Sequence, residues 1–241
     1  MTVSTVSVPT VLDPTAVDAV DGLLRTTRSF RRRLDVDRPV DLEVVRACID
    51  TAVFAPSSEN QQNWRWLIIE DDELRARIAG YYLQAWTIHR SSGAGSARRR
   101  ARRGDGGGQR NAESVSWLAD NLHRVPVFVI PCALGRPPRP GTWGNRDNAD
   151  LDHLANVIFY GSLLPAVWSF QLALRSRGLG SVLTCMHLPF EAQVGSLLGI
   201  PTSVTQLCLV PVAHITGSGV RPAPRAATDA LVAVDRWSAE L

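Results

Sequence analysis

The chain has 241 residues, 45% apolar and 20% charged, which is ordinary globular composition with enough material for a real core. Its 26 basic and 23 acidic side chains leave a net charge of +3, too little to imply a polyanion partner, and every basic residue is Arg. Four cysteines without a CxxC pair exclude a disulfide framework. They fit a reduced, cytoplasmic setting. No basic, apolar leader opens the chain, and no apolar run of roughly 18 residues is free of polar groups, so neither a signal peptide nor a spanning helix is expected.

Residues 1–13 read as a flexible arm ahead of a single domain over 14–241. Asp13-Pro14 is a cap followed by a first-turn proline, and Val17, Val20, Leu23 and Leu24 recur at helical spacing, predicting a helix over 14–27. After an arginine cluster, Asp41 caps a second helix over 42–54, which Ala55-Pro56 ends. WRWLIIE (64–70) reads as a strand, and 71–90 as a helix opened by acidic residues. Residues 91–111, rich in Gly, Ser and Arg, have little to bury and read as a mobile insert or lid.

A short helix is expected over 113–122, a buried strand over 125–134 and a loop over 135–148. The longest helical segment, 151–177, is apolar nearly all round; Pro165 should kink or split it, and Gly178 should stop it. Such a helix lies at the centre of a core or of a dimer interface, and at this chain length the interface is the favoured reading. A strand over 180–186, a helix over 189–198, a last strand over 204–215, an extended RPAPR tail (221–225) and a short helix near 228–237 complete the chain. The class is α+β, with a sheet flanked by helices.

Two stretches carry chemistry. TTRSFRRRLDVDRPV (26–40) crowds Arg28, Arg31, Arg32 and Arg33 around Ser29. Like charges gathered so closely suit an anion, although a solvated basic turn has the same composition. APSSENQQNWRW (55–66) offers hydroxyls and carboxamides that donate and accept, as an aromatic ring with alternating polar edges requires, although a self-capped turn would also look like this.

Together these stretches resemble the FMN-dependent nitroreductase family. That family carries Arg-(Arg/His)-Ser-x-Arg-x-Phe after its first helix and Pro-Ser-x-x-Asn-x-Gln-Pro-Trp before its first strand. Arg28, Ser29, Arg31 and Arg32 match the first pattern; Pro56, Ser57, Asn60, Gln62 and Trp64 match the second. Residues 178–201 look like the family's GLG strand and helix, and 204–225 like its last strand and arginine tail. Two departures stand out: the phenylalanine closing the first motif is replaced around Arg33-Leu34, so Arg31 and Arg32 compete for one role, and Asn63 stands where the family has proline.

The resemblance implies a nitroreductase-like α+β fold with a mixed or antiparallel central sheet, a homodimer, and FMN as cofactor with NADH or NADPH as electron donor. It assigns Arg28, with Arg221 or Arg225, to the phosphate, Ser29 to a nearby polar contact, and Arg32 (or Arg31) to the anionic edge of the reduced ring. Pro56, Ser57, Ser58 and Asn60 would approach from a partner subunit; Thr184, Cys185 and Met186 would line the ring near N5, chiefly through backbone N–H groups. No protein side chain need be catalytic, since flavin N5 carries the chemistry; the acceptor would be a nitroaromatic, quinone or activated alkene.

Cys185 reads as a packing residue rather than a nucleophile. The five histidines show no metal spacing, and no GxGxxG or GxxxxGK[ST] occurs. ARRRARR (97–103) could grip nucleic acid or an anionic membrane, but it has neither interleaved aromatics nor amphipathic pattern and reads as a solvated loop. Alternatives to the oxidoreductase are a flavin-dependent biosynthetic dehydrogenase and a non-enzymatic flavin- or polyanion-binding protein.

Overall fold

A computed structural model describes residues 9–92, 106–138 and 149–237. The 97–103 arginine run, the first eight residues and most of the 135–148 loop lie outside them. The chain clusters into two compact units, residues 29–217 and a smaller one made of 1–28 with 218–241.

The smaller unit holds α1 (Pro14–Thr26), started as expected: Asp13 accepts from the Ala16 N–H at 2.9 Å and Pro14 occupies the first turn. Val17, Val20 and Leu24 of its apolar stripe are each 44% exposed. At the other end the helix expected near 228–237 is only a single 3-10 turn, Thr228–Ala230. Residues 221–225 are without regular structure, as the two prolines require.

In the larger unit, six strands form one sheet in which every named pairing is antiparallel. They are β1 (Leu34–Asp35), β2 (Trp64–Ile69), β3 (Val127–Leu134), β4 (Leu179–Ser181), β5 (Val204–Gln206) and β6 (Val210–Ile215). β3 lies between β2 on one side and β5 and β6 on the other; β6 also pairs with β1 and β4. β3 is buried along nearly its whole length, which explains its unbroken apolar run VFVIPCAL.

Two strands are shorter than their sequences suggest, and one residue accounts for much of this. The stretch read as a strand over 180–186 pairs with β6 only as far as Ser181, then touches again through a bridge between Thr184 and Leu209. Thr184 and Leu209 exchange both backbone hydrogen bonds (3.0 and 2.7 Å). Antiparallel pairs alternate in kind, so the next hydrogen-bonded pair is Val182 with residue 211. Residue 211 is proline and has no N–H to give. The segment expected as a single strand over 204–215 likewise divides, into β5 and β6.

The helices are α2 (Leu42–Ala52), α3 (Asp72–Ser91), α4 (Gly106–Asn121), α5 (Ala149–Gly161), α6 (Leu164–Ser176) and α7 (Glu191–Leu198). α2 stops two residues early, leaving Phe54 74% exposed. α4 begins seven residues before its expected start, so the last residues of the 91–111 insert are helical despite three glycines; residues 93–105 of that insert lie outside the described ones.

The apolar stretch 151–176 is long and apolar enough by composition alone to cross a membrane, but it falls in two helices of 13 residues each. Pro165 divides it as expected, with a break at Ser162–Leu163. α6 is a core helix: Ala166, Val167, Phe170, Ala173 and Leu174 are buried with Val45, Cys48 and Ala52 of α2 and with Val127, Val129, Val210 and Val212 of the sheet. α5 is more open, with Leu154, Val157 and Tyr160 exposed, continued by Leu164 and Trp168 of α6.

Two fixtures hold the frame around the site. Arg75 of α3 is 7% exposed and donates to the carbonyls of Glu70, His123 and Val125, with Asp72 closing an ion pair, so α3 is tied to the turn that feeds β3. Gly180 of β4 has no room for a side chain: a Cβ there would meet Ile215 at 2.9 Å and the Phe30 ring at 3.1 Å. That close approach lets Phe30 donate its N–H to Ser181 at 3.0 Å, pinning the residue after Ser29 to β4.

Candidate functional site

Chemistry-bearing residues gather around the end of the β4 segment. The turn following Phe30 is closed by the Leu34 N–H on the Arg31 carbonyl at 3.1 Å. Its three guanidinium groups diverge. Arg31 donates to Asn111 of α4 at 3.3 Å, Arg32 pairs with Glu113 at 3.6 Å, and Arg33 donates to the Thr216 carbonyl at 2.8 Å. Arg32 is more than half exposed and lines a cavity of about 470 Å³ with Arg90, Gln109, Glu113, Trp117 and Asp120. Arg31 is half-buried, and its charge is felt at Tyr82.

Tyr82 belongs to the inner face of α3 and is 2% exposed. Its hydroxyl meets the Thr184 hydroxyl at 3.0 Å. Burial raises the Tyr82 phenol above its ordinary value, offset in part by that hydrogen bond and by Arg31. Thr184 is therefore fixed twice, by side chain to α3 and by backbone to Leu209. Its own N–H is committed to Leu209, so it is not a free donor. Cys185, one residue on, has its N–H on the opposite side of the strand by the alternation of the ladder, and the chain then turns, with Leu188 donating to the Cys185 carbonyl at 3.0 Å.

Behind this segment lies a polar cluster. His187 is fully buried, and neither ring nitrogen closes a hydrogen bond of normal geometry, although the Gln206 amide and the Glu191 charge lie near. Burial pushes its imidazole down to about 4, with Glu191 and Gln206 pulling back only in part. Glu191 is gripped by Arg136 through two bonds of 2.7 and 2.9 Å and accepts the Gln206 N–H at 3.0 Å. The Arg136 pair holds its carboxyl below the usual range. Arg136 also donates to Val204, so the start of the 135–148 loop is tied to β5.

The second set sits on the 56–62 loop. Ser57 accepts from the Gln62 N–H at 3.2 Å, Gln62 donates to the Asn60 side chain at 2.8 Å, and Ser58 donates its N–H to the Ser162 hydroxyl at 3.0 Å, in the break between α5 and α6. Glu59, Asn60 and Gln62 all have positive φ, near 50°. Three non-glycine residues in the left-handed region within four positions mark a conformation held against its preference, at roughly 1 kcal/mol each. Asn63, standing where proline was expected, accepts the Leu134 N–H through its carbonyl at 2.8 Å, but its side-chain oxygen is buried without a partner.

Arg28, Arg221 and Arg225 belong to the smaller unit, all exposed; Ser29, Arg32, Pro56, Ser57, Ser58, Asn60, Thr184, Cys185 and Met186 belong to the larger. Sequence reading missed Tyr82, Glu191, Gln206 and the burial of His187. Tyr82 lies in register with Arg75, Ile78, Ala79 and Ala85 on the buried face of α3, a core pattern that conceals a polar task.

This architecture is that of a group of flavoproteins. The chain is similar to a BluB-like flavoprotein from Clostridium difficile 630, at a TM-score of 0.67 and 16% identity over 90% of this chain and 99% of that one. It is similar to the FMN-dependent nitroreductase NfnB from Mycobacterium smegmatis, solved in complex with NADPH (TM-score 0.62, 18% identity, 92% and 100% covered). It is also similar to oxidized iodotyrosine deiodinase bound to FMN and 3-iodo-L-tyrosine (TM-score 0.61, 20% identity, 89% and 98% covered). At such identities the likeness is one of fold.

In sequence, the nitroreductase family pattern matches residues 24–214, and the chain belongs to the nitroreductase family. It is 39% identical over 67 residues to nitrobenzene nitroreductase of Ectopseudomonas oleovorans, a match spanning 28% of this chain and 28% of that relative.

Proposed function

We propose that this protein is an FMN-dependent oxidoreductase that takes reducing equivalents from NADH or NADPH and delivers them to a small nitroaromatic, quinone or activated alkene, acting in the cytoplasm as a homodimer. The observation that carries the reading is the family match over residues 24–214, which takes in both the arginine turn and the Thr184 segment.

The donor set fits such a cofactor. Guanidinium groups bind phosphate by paired, charge-assisted hydrogen bonds, a task assigned to Arg28 with Arg221 or Arg225 and supported by Ser29. Arg32, or Arg31 in the other register, would face the ring's anionic edge; the half-burial of Arg31 near Tyr82 supports the second choice. A fixed cation in that position favours negative charge without reorganising. Pro56, Ser57, Ser58 and Asn60 contribute the polar array that recognises the ring's heteroatoms. Cys185 and Met186 contribute backbone donors, with Thr184 as their anchor. Bound FMN would supply two-electron hydride transfer, so the chain's task is to bind, orient and exclude water.

The homodimer is supported by an apolar ridge of Leu154, Val157, Tyr160, Leu164 and Trp168, all at least 38% exposed in the single chain. A second copy covering that ridge would bury it.

The test is release of chromophore on denaturation, followed by anaerobic titration with NADH and NADPH. About one FMN per chain, bleached by one or both nucleotides, is the expected result. A colourless protein that takes up no flavin on reconstitution overturns the proposal; a yellow protein that neither nucleotide bleaches overturns the electron donor. Initial rates against both substrates should give parallel reciprocal lines, because both use one pocket in turn.

A further inference from the structure

We propose that Cys185 and Cys208 form an oxidation site: a hydroperoxide, or a diazene oxidant such as diamide, converts them to a cross-strand disulfide that fastens the end of the β4 segment to the chain leading into β6.

The argument is one of register. β4 pairs with β6 as Leu179 with His214, Gly180 with Ala213 and Ser181 with Val212. The Thr184–Leu209 bridge lies three residues further along one chain and three back along the other, so it continues the same register past Pro211. The next pair in line is Cys185 with Cys208. Thr184 and Leu209 exchange both backbone hydrogen bonds, and pairs alternate, so Cys185 and Cys208 form a non-hydrogen-bonded pair. Such pairs bring Cα atoms to about 4.5 Å with side chains on the same face. A disulfide accepts Cα separations of about 4.4–6.8 Å.

Two further observations agree. The Cys185 sulfur lies against this chain, 3.8 Å from the Leu207 carbonyl. Burial raises the Cys208 thiol first, and the charges of Cys185 and then Cys132 raise it further, which puts both sulfurs in its neighbourhood with Cys185 foremost. Cys185 is exposed and Cys208 is fully buried, which divides the labour: one meets the oxidant and the other resolves it. Cys132 is differently occupied, with its sulfur on the Ile130 carbonyl of its own strand and Gln206 opposite it in the ladder.

With a hydroperoxide, the Cys185 thiolate attacks the terminal oxygen. The O–O bond breaks, and the sulfenic acid forms as the alkoxide takes up a proton. The Cys208 sulfur then attacks the sulfenic sulfur, the S–S bond forms and water leaves. Two thiols have lost two electrons, and the peroxide has become an alcohol and water. Burial raises both thiols, so thiolate is scarce and the bond forms slowly. This is a site for sustained oxidation rather than a fast sensor.

The purified protein, with whatever cofactor it retains, would be treated with diamide or cumene hydroperoxide, alkylated, and digested without reduction. The expected product is one peptide pair joined through Cys185 and Cys208, with the four titratable thiols falling to two and returning to four with dithiothreitol. The variant Cys185→Ser should keep its remaining three thiols under the same treatment. Full alkylation of all four, a bond involving Cys132 or Cys48, a link between two chains, or Cys185 found only as sulfinic acid would each overturn the proposal. The mapping on the unsubstituted protein decides the matter even where Cys208→Ser fails to fold, and it reads the thiols whether or not flavin is bound.

Discussion

The 56–62 loop and the 184–188 segment carry residues proposed for one cofactor (Pro56, Ser57, Ser58 and Asn60; Thr184, Cys185 and Met186), yet they are built on opposite principles. The loop is exposed apart from the half-buried Ser57 and Ser58 and is held mainly by its own side chains, with three residues at positive φ. The segment is held from behind, through the Tyr82 hydroxyl, the Leu209 backbone and the buried side chain of His187. A loop that supplies its own bonds can be altered at little cost to the fold and at direct cost to its ligand. A segment anchored in the core transmits any alteration to the whole unit.

The largest effect should come from His187. Its imidazole is held down to about 4 in the folded chain, against an ordinary value of 6.5. Between those pH values the unfolded chain takes up a proton that the folded one refuses, so stability falls as pH drops through the window and levels below it. The full difference is about 3 kcal/mol. Urea unfolding from pH 7 to 4 measures it, and His187→Gln should remove that part of the slope; an unchanged slope would show that the ring is not held neutral.

Tyr82→Phe should cost about 1 kcal/mol, the value of one partly buried hydrogen bond. Combined with Thr184→Val the losses should fall short of additive, since both substitutions break the same contact. Full additivity in urea unfolding would mean that the two hydroxyls are not coupled. Ser57→Ala should change stability by less than about 0.5 kcal/mol while lowering the flavin retained per chain several-fold. If it unfolds the protein as readily as Tyr82→Phe does, the contrast between the two regions is wrong.

The difference between the regions also explains what could be read from sequence. The loop declared itself by composition, because its fold and the task proposed for it use the same Ser, Asn and Gln side chains. The arginine turn did so by charge, although the partition among Arg31, Arg32 and Arg33 needed Asn111, Glu113 and Thr216, residues 80 or more positions away in all three cases. The break at Pro165 was legible because proline acts locally. The shortened β4 was not, since its cause, Pro211, lies on the opposing strand. The early start of α4 went unseen because three successive glycines lower helix propensity there. Tyr82 looked like core because it is core, with one hydroxyl to spare.

The break at Pro165 has a consequence beyond bending a helix. Ser162 lies in that break, and its hydroxyl is the acceptor from which Ser58 hangs. Just before it runs α5, whose outer side chains Leu154, Val157 and Tyr160 face outward. The proline thus frees a hydroxyl between two helices to serve as the outside anchor of a loop that otherwise supplies its own bonds.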